Sequence, residues 1–134
     1  MKSEEVYDLS PTILLVDDEL VVLKVLSREL TAEHYSVTAV SSGREAISAL
    51  QDTFYDLVIT DITMEGIDGL DVVKAARNIA PRTLVIVITG YIDSKSAKEA
   101  MSIGVDDFLV KPFEIEELLS SIQLCLNRRS LQQI

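Results

Sequence analysis

The chain has 134 residues, 48% hydrophobic and 25% charged, with 22 acidic against 12 basic side chains and a net charge of −10. That length suits one domain, able to bury roughly two-thirds of its unfolded surface, and the excess of negative charge argues against direct nucleic-acid binding because phosphates would be repelled. One cysteine, Cys125, excludes an internal disulfide framework and fits a reducing compartment.

Residues 1–11 read as an N-terminal extension without the apolar core of a signal peptide. No apolar run reaches the ~18 residues of a membrane span. A cytoplasmic protein without membrane contact is the expectation. The first strand is TILLV (12–16), followed by Asp17-Asp18-Glu19 and a helical stripe of Val22, Leu23, Leu26 and Leu30. SVTAV (36–40) alternates apolar and polar residues, which suits a strand near the sheet edge. Ala46, Ile47 and Leu50 then make a second stripe after Ser42-Gly43.

A third strand, DLVIT (56–60), delivers Asp61, and Asp68-Gly69 punctuates the chain before a stripe of Leu70, Val73 and Arg77, in which Arg77 has to snorkel. The run TLVIVIT (83–89) ends at Thr89-Gly90. Ser94 is placed to cap a short, weakly apolar helix carrying Ala97, Ala100 and Met101. DFLV (107–110) leads into Lys111-Pro112, an X–Pro bond and so a candidate for the cis form. The last stripe, Ile115, Leu118, Leu119, Ile122 and Leu126, is the clearest, and Cys125 lies on it as a small core residue. Residues 128–134 are polar and compatible with an outward continuation of that helix, the start of a linker. Four of the five runs have the composition of strands covered on both faces.

Strand and helix alternate five times, which predicts an α/β fold: a doubly wound, five-stranded parallel sheet with right-handed crossovers and five helices on its two faces. In such a sheet the carboxyl ends of the strands form the ligand crevice. Acidic groups, a hydroxyl and an ammonium arrive there together: Asp17, Asp18 and Glu19, then Asp61, Thr89 and Lys111. Taken singly each is ordinary. The acidic run suits a helix N-terminus, Asp61 a turn, Thr89 a strand end and Lys111 a solvated charge. Clustered carboxylates raise one another's pKa unless a cation neutralises them. The set therefore suits a hard divalent ion, Mg²⁺ foremost and Mn²⁺ as a substitute, and phosphoryl chemistry in which a carboxylate is the nucleophile.

The segments ILLVDDE, DLVITDITMEGIDG, VIVITGY and GVDDFLVKPF, in this order and spacing, resemble the receiver domain of two-component response regulators, over residues 12–127. That resemblance implies a flavodoxin-like sheet of order 2-1-3-4-5. It implies Asp61 as phospho-acceptor from a sensor histidine kinase or phosphotransfer protein, and Thr89 and Lys111 as the groups that bind the phosphoryl group. Metal ligands would be Asp18 directly, Asp17 mainly through water, Asp61, and the backbone carbonyl of Thr63. Thr89 and Phe108 would form the switch, and the face of the fourth helix, fifth strand and fifth helix would serve an output domain, an effector or a homodimer. The sequence departs from the family pattern at Phe108, which lacks the hydroxyl of the tyrosine often found there, and at Glu65, where many members carry proline. Thr63 and Tyr91 stand where the family tunes dephosphorylation. Such a domain is a signalling module that catalyses only its own phosphorylation and dephosphorylation. A receiver piece of a hybrid sensor kinase is the near alternative. A phosphatase of the haloacid dehalogenase type is the distant one, since it requires an aspartate two residues after its nucleophile and this chain has Thr63 there.

Overall fold

The computed structural model of the protein describes residues 10–64, 68–92 and 94–132. Strands and helices alternate as β1 (Thr12–Val16), α1 (Leu20–Ala32), β2 (Ser36–Val40), α2 (Gly43–Asp52), β3 (Leu57–Asp61), α3 (Gly69–Ile79), β4 (Leu84–Thr89), α4 (Lys95–Ile103), β5 (Asp107–Val110) and α5 (Ile115–Gln132). All strand pairings are parallel, in the order β2-β1-β3-β4-β5. The expected topology and the edge position of β2 both hold.

Side chains alternate across a strand, and this sorts the apolar residues into two cores. Ile13, Leu15, Leu57, Ile59, Ile86 and Ile88 face α1 and α5, where Leu23, Leu26, Leu30, Leu118, Ile122 and Cys125 meet them. Leu14, Val16, Val58, Val85 and Val87 face the other way, against Ala46, Leu50, Val73, Ala76 and Ala100 of α2, α3 and α4. Cys125 is buried, as its place on the stripe predicts.

Several details differ from the sequence reading, among them β4, which begins at Leu84 and not at Thr83. β3 begins one residue later, at Leu57, and Asp56 stands just before it with its carbonyl still accepting the Leu84 N–H at 3.0 Å. Its carboxylate accepts bonds from the Thr12 N–H (2.8 Å) and hydroxyl (3.1 Å) and from Arg129 of α5 (2.8 Å). In β5 Leu109 is buried while Val110 is 43% exposed, since this strand lies at the sheet edge and is not covered on both faces. Met101 is also exposed, so α4 is held on its inner side by Ala97 and Ala100.

Arg77 lies half-buried and does more than snorkel. It donates to the carbonyls of Gly104 (3.0 Å), Pro81 (3.0 Å) and Thr83 (2.9 Å) and to Asp106 (2.9 Å). The same Asp106 oxygen accepts the Val85 N–H at 2.7 Å, so one guanidinium ties the end of α3 to the entries of β4 and β5. Side-chain caps start three helices: Ser42 accepts from the Glu45 N–H, Ser94 from the Ala97 N–H, and Asp68 forms a capping box with Asp71. At α1 the N-cap is Glu19, whose side chain makes no cap bond.

Candidate functional site

Three strand ends deliver their charged residues on the same side of the sheet. Asp61 closes β3 in phase with Leu57 and Ile59; Asp17 follows β1 in phase with Ile13 and Leu15; Lys111 follows β5 in phase with Leu109. Alternation therefore points all three toward the α1/α5 face at its open rim. The Lys111 ammonium bonds Asp61 Oδ2 at 2.7 Å, Glu19 Oε1 at 3.3 Å and Asp17 Oδ2 at 3.5 Å. Its backbone is fixed by an N–H bond to the Thr89 carbonyl at 2.9 Å, and the Lys111–Pro112 peptide is cis, as anticipated.

Asp17 is 1% exposed and Asp61 6% exposed. Burial pushes the Asp17 carboxyl above its ordinary range; the Glu19 N–H (2.9 Å) and Lys111 pull it back only in part, and the charges of Asp61 and Glu19 add to the rise. For Lys111, burial alone would lower the pKa. The hydrogen bond to Asp61 and the charges of Asp61 and Asp17 outweigh it, and the net shift is upward. The second oxygen of Asp61 accepts the Thr63 N–H at 2.8 Å, which fixes the rotation of the carboxylate.

Among the described residues, one oxygen each from Asp17, Glu19 and Asp61 lies within 4.8 Å of the others. An all-oxygen, strongly anionic donor set with two buried members fits a hard divalent cation and is a poor match for softer metals. Asp18 is exposed and stands outside that group, whereas Glu19, noted in the sequence at this rim without a role, stands within it. Thr63 is exposed, with its N–H turned to Asp61.

Thr89 is fully buried at the end of β4, in phase with Val85 and Val87 and so on the opposite face from Asp61. Its hydroxyl oxygen accepts the Tyr91 N–H at 3.0 Å, and the Tyr91 ring is exposed. Phe108 is half-buried against the α2/α3/α4 core. Glu65 lies outside the described residues.

Gly69 also belongs to the site. A Cβ there would overlap the Asp61 carbonyl oxygen and stand 2.6 Å from the Ile62 Cα, so only glycine lets the start of α3 approach the end of β3 so closely. The sequence marked Asp68-Gly69 only as a turn, because nothing local reveals which distant backbone a glycine touches.

The family model for the response regulator receiver domain matches residues 13–123. The uncharacterized transcriptional regulatory protein YkoG of Bacillus subtilis is 38% identical over 116 residues, covering 87% of this chain and 51% of that protein. The chain spans about half the length of the curated relatives it matches. Among solved structures, the CheY-like receiver domain protein of Methanospirillum hungatei superposes with a TM-score of 0.88 at 24% identity, covering 92% of this chain and 98% of that one, which bears on the fold. The receiver domain of the sensor histidine kinase PA1611 of Pseudomonas aeruginosa, with a magnesium ion in its active site cleft, gives a TM-score of 0.81 at 27% identity and covers 88% and 98%. The phosphatase alternative falls with these matches. With its five-stranded order, its acidic rim and a family match over most of its length, the chain belongs to the response regulator receiver domain family, a family of signalling phospho-acceptors.

Proposed function

We infer that Asp61 is the phospho-acceptor, receiving its phosphoryl group from the phosphohistidine of a sensor kinase or phosphotransfer protein. The observation that carries this is the 2.7 Å contact between Lys111 and a nearly buried Asp61 whose neighbours are two further carboxylates. An Asp61 oxygen forms the new O–P bond as the P–N bond breaks, and the histidine ring keeps the electron pair and takes up a proton. Thr63 holds the carboxylate in one rotation, and Lys111 stands where the charge of the incoming group is received. Thr89 has its hydroxyl oxygen occupied by the Tyr91 N–H and offers its own O–H to a phosphoryl oxygen.

Asp17 and Asp61, with Asp18 and the Thr63 carbonyl as the family resemblance implies, would hold Mg²⁺. Bound there, the ion supplies charge neutralisation at the phosphoryl oxygens. The magnesium in the PA1611 receiver supports this assignment. Contacts to the phosphorylated Asp61 then bias Thr89 and Phe108 between two arrangements, and the face of α4, β5 and α5 passes the change to an output domain or effector. The donor must bring its phosphorus to Asp61. A groove of about 670 Å³ opens beside Lys111, lined by Val21, Val25 and Phe113, and its exposed apolar α1 side suits a docking helix of the kinase.

The test is intact mass after incubation with acetyl phosphate and Mg²⁺. A metal-dependent gain of one phosphoryl group in the wild type and none in Asp61→Asn is expected. Equal gain in both would place the acceptor elsewhere.

A further inference from the structure

We propose that Glu19 is a positioning residue that holds the Lys111 ammonium when a divalent cation takes its place between Asp17 and Asp61. The inference rests on the metal reading above and adds a role for a side chain which that reading leaves unused.

Two independent observations carry it. First, Glu19 occupies the N-cap of α1 and does not cap it, while the side chains of Ser42, Asp68 and Ser94 cap α2, α3 and α4. Glutamate is also a poor choice for this position, where shorter oxygen-bearing side chains reach the first turn better. Its carboxylate goes instead across to Lys111, at 3.3 Å. Second, Lys111 is bonded to the very carboxylates that a cation needs, Asp61 at 2.7 Å and Asp17 at 3.5 Å. An ammonium on these oxygens and a divalent cation among them repel each other, so binding drives Lys111 outward.

Where Lys111 withdraws to decides the cost. Asp17 and Asp61 lie deep in the rim, whereas the Glu19 side chain is 63% exposed and that of Lys111 27% exposed. The Lys111–Glu19 contact thus lies on the solvent side of the cluster. The ammonium pivots outward, gives up Asp17 and Asp61, and keeps one charged partner. It stays within reach of Asp61, ready to pair with a phosphoryl group. Without Glu19, Lys111 would have to leave for water or remain in the cation's way.

The role makes two effects of one residue run in opposite directions. Replacing Glu19 with serine supplies the missing cap and raises Tm by roughly 3 °C, yet it removes the partner of Lys111 and weakens the site for Mg²⁺. A residue that served only as the N-cap of α1 would leave Mg²⁺ affinity unchanged.

The decisive experiment is a double-mutant cycle on Mg²⁺ affinity, measured by calorimetric titration of the unphosphorylated protein. Glu19→Gln should raise the Kd roughly three- to fivefold, the value of one exposed ion pair. In the Lys111→Met background the same substitution should leave Kd unchanged within about twofold, because there is no ammonium left to hold. An equal weakening in both backgrounds would overturn the proposal and make Glu19 a ligand or a simple source of field. No weakening in either would overturn it as well. Absence of Mg²⁺ binding by the wild type would overturn the metal reading and the inference with it, an outcome distinct from the other two.

Discussion

Lys111 neutralises a site that would otherwise repel itself, and its removal should show in the pH dependence of folding. Asp17 already has a folded-state pKa raised by burial, and Lys111 is one of the groups holding it down. In Lys111→Met that pKa rises further. A carboxyl whose folded pKa exceeds its unfolded value contributes stability that is present below the unfolded pKa and lost as pH rises through the folded one. Lys111→Met should therefore cost roughly 1–3 kcal/mol at pH 7, and less at pH 5. Urea midpoints at the two pH values check this, and an equal loss at both would count against it. At this scale the sequence named nearly every group that meets at the rim, since polar residues at the ends of apolar strands are conspicuous. It did not separate Asp18 from Glu19. Three consecutive acidic residues point in different directions, and which of them turns inward depends on the helix start that follows.

Helices and strands were legible because their periods differ: unbroken apolar runs for β1, β3 and β4, and three-to-four spacing for α1 and α5. What escaped was set by contacts distant in sequence. The carboxylate of Asp56 is held by Thr12 and Arg129, which lie far from it along the chain. Arg77 broke the apolar stripe of α3 because it serves the carbonyls of Pro81, Thr83 and Gly104 rather than the core. That arginine is the fastening between α3 and the entries to β4 and β5. Arg77→Met keeps the stem and deletes the donors, leaving carbonyl acceptors unpaired and Asp106 with the Val85 N–H but no charged partner, and should destabilise the protein by about 2–3 kcal/mol. A chemical denaturation curve with an unchanged midpoint would show that water replaces the guanidinium at no cost.

For the whole molecule, the rim is where the two cores meet one chemical event. Lys111 rises from the phase that faces α1 and α5, and Thr89 from the phase that faces α2, α3 and α4. A phosphoryl mimic on Asp61 that engages both should slow amide hydrogen exchange on both faces. Beryllofluoride with Mg²⁺ is the probe, and protection confined to one face would show that only one of the two side chains responds. Among the described residues the two buried clusters elsewhere share no side chain: Leu14 and Ala46 lie in one, Ile13 and Leu118 in the other. The sheet acts as a partition, and this governs how the sequence can drift. A volume lost in one chamber is recoverable only by a gain in the same chamber, so paired substitutions will show epistasis within a face and near-additivity across it. Two populations of residues in one chain are thus free to vary almost independently, and the carboxylate rim is the boundary at which their histories are joined.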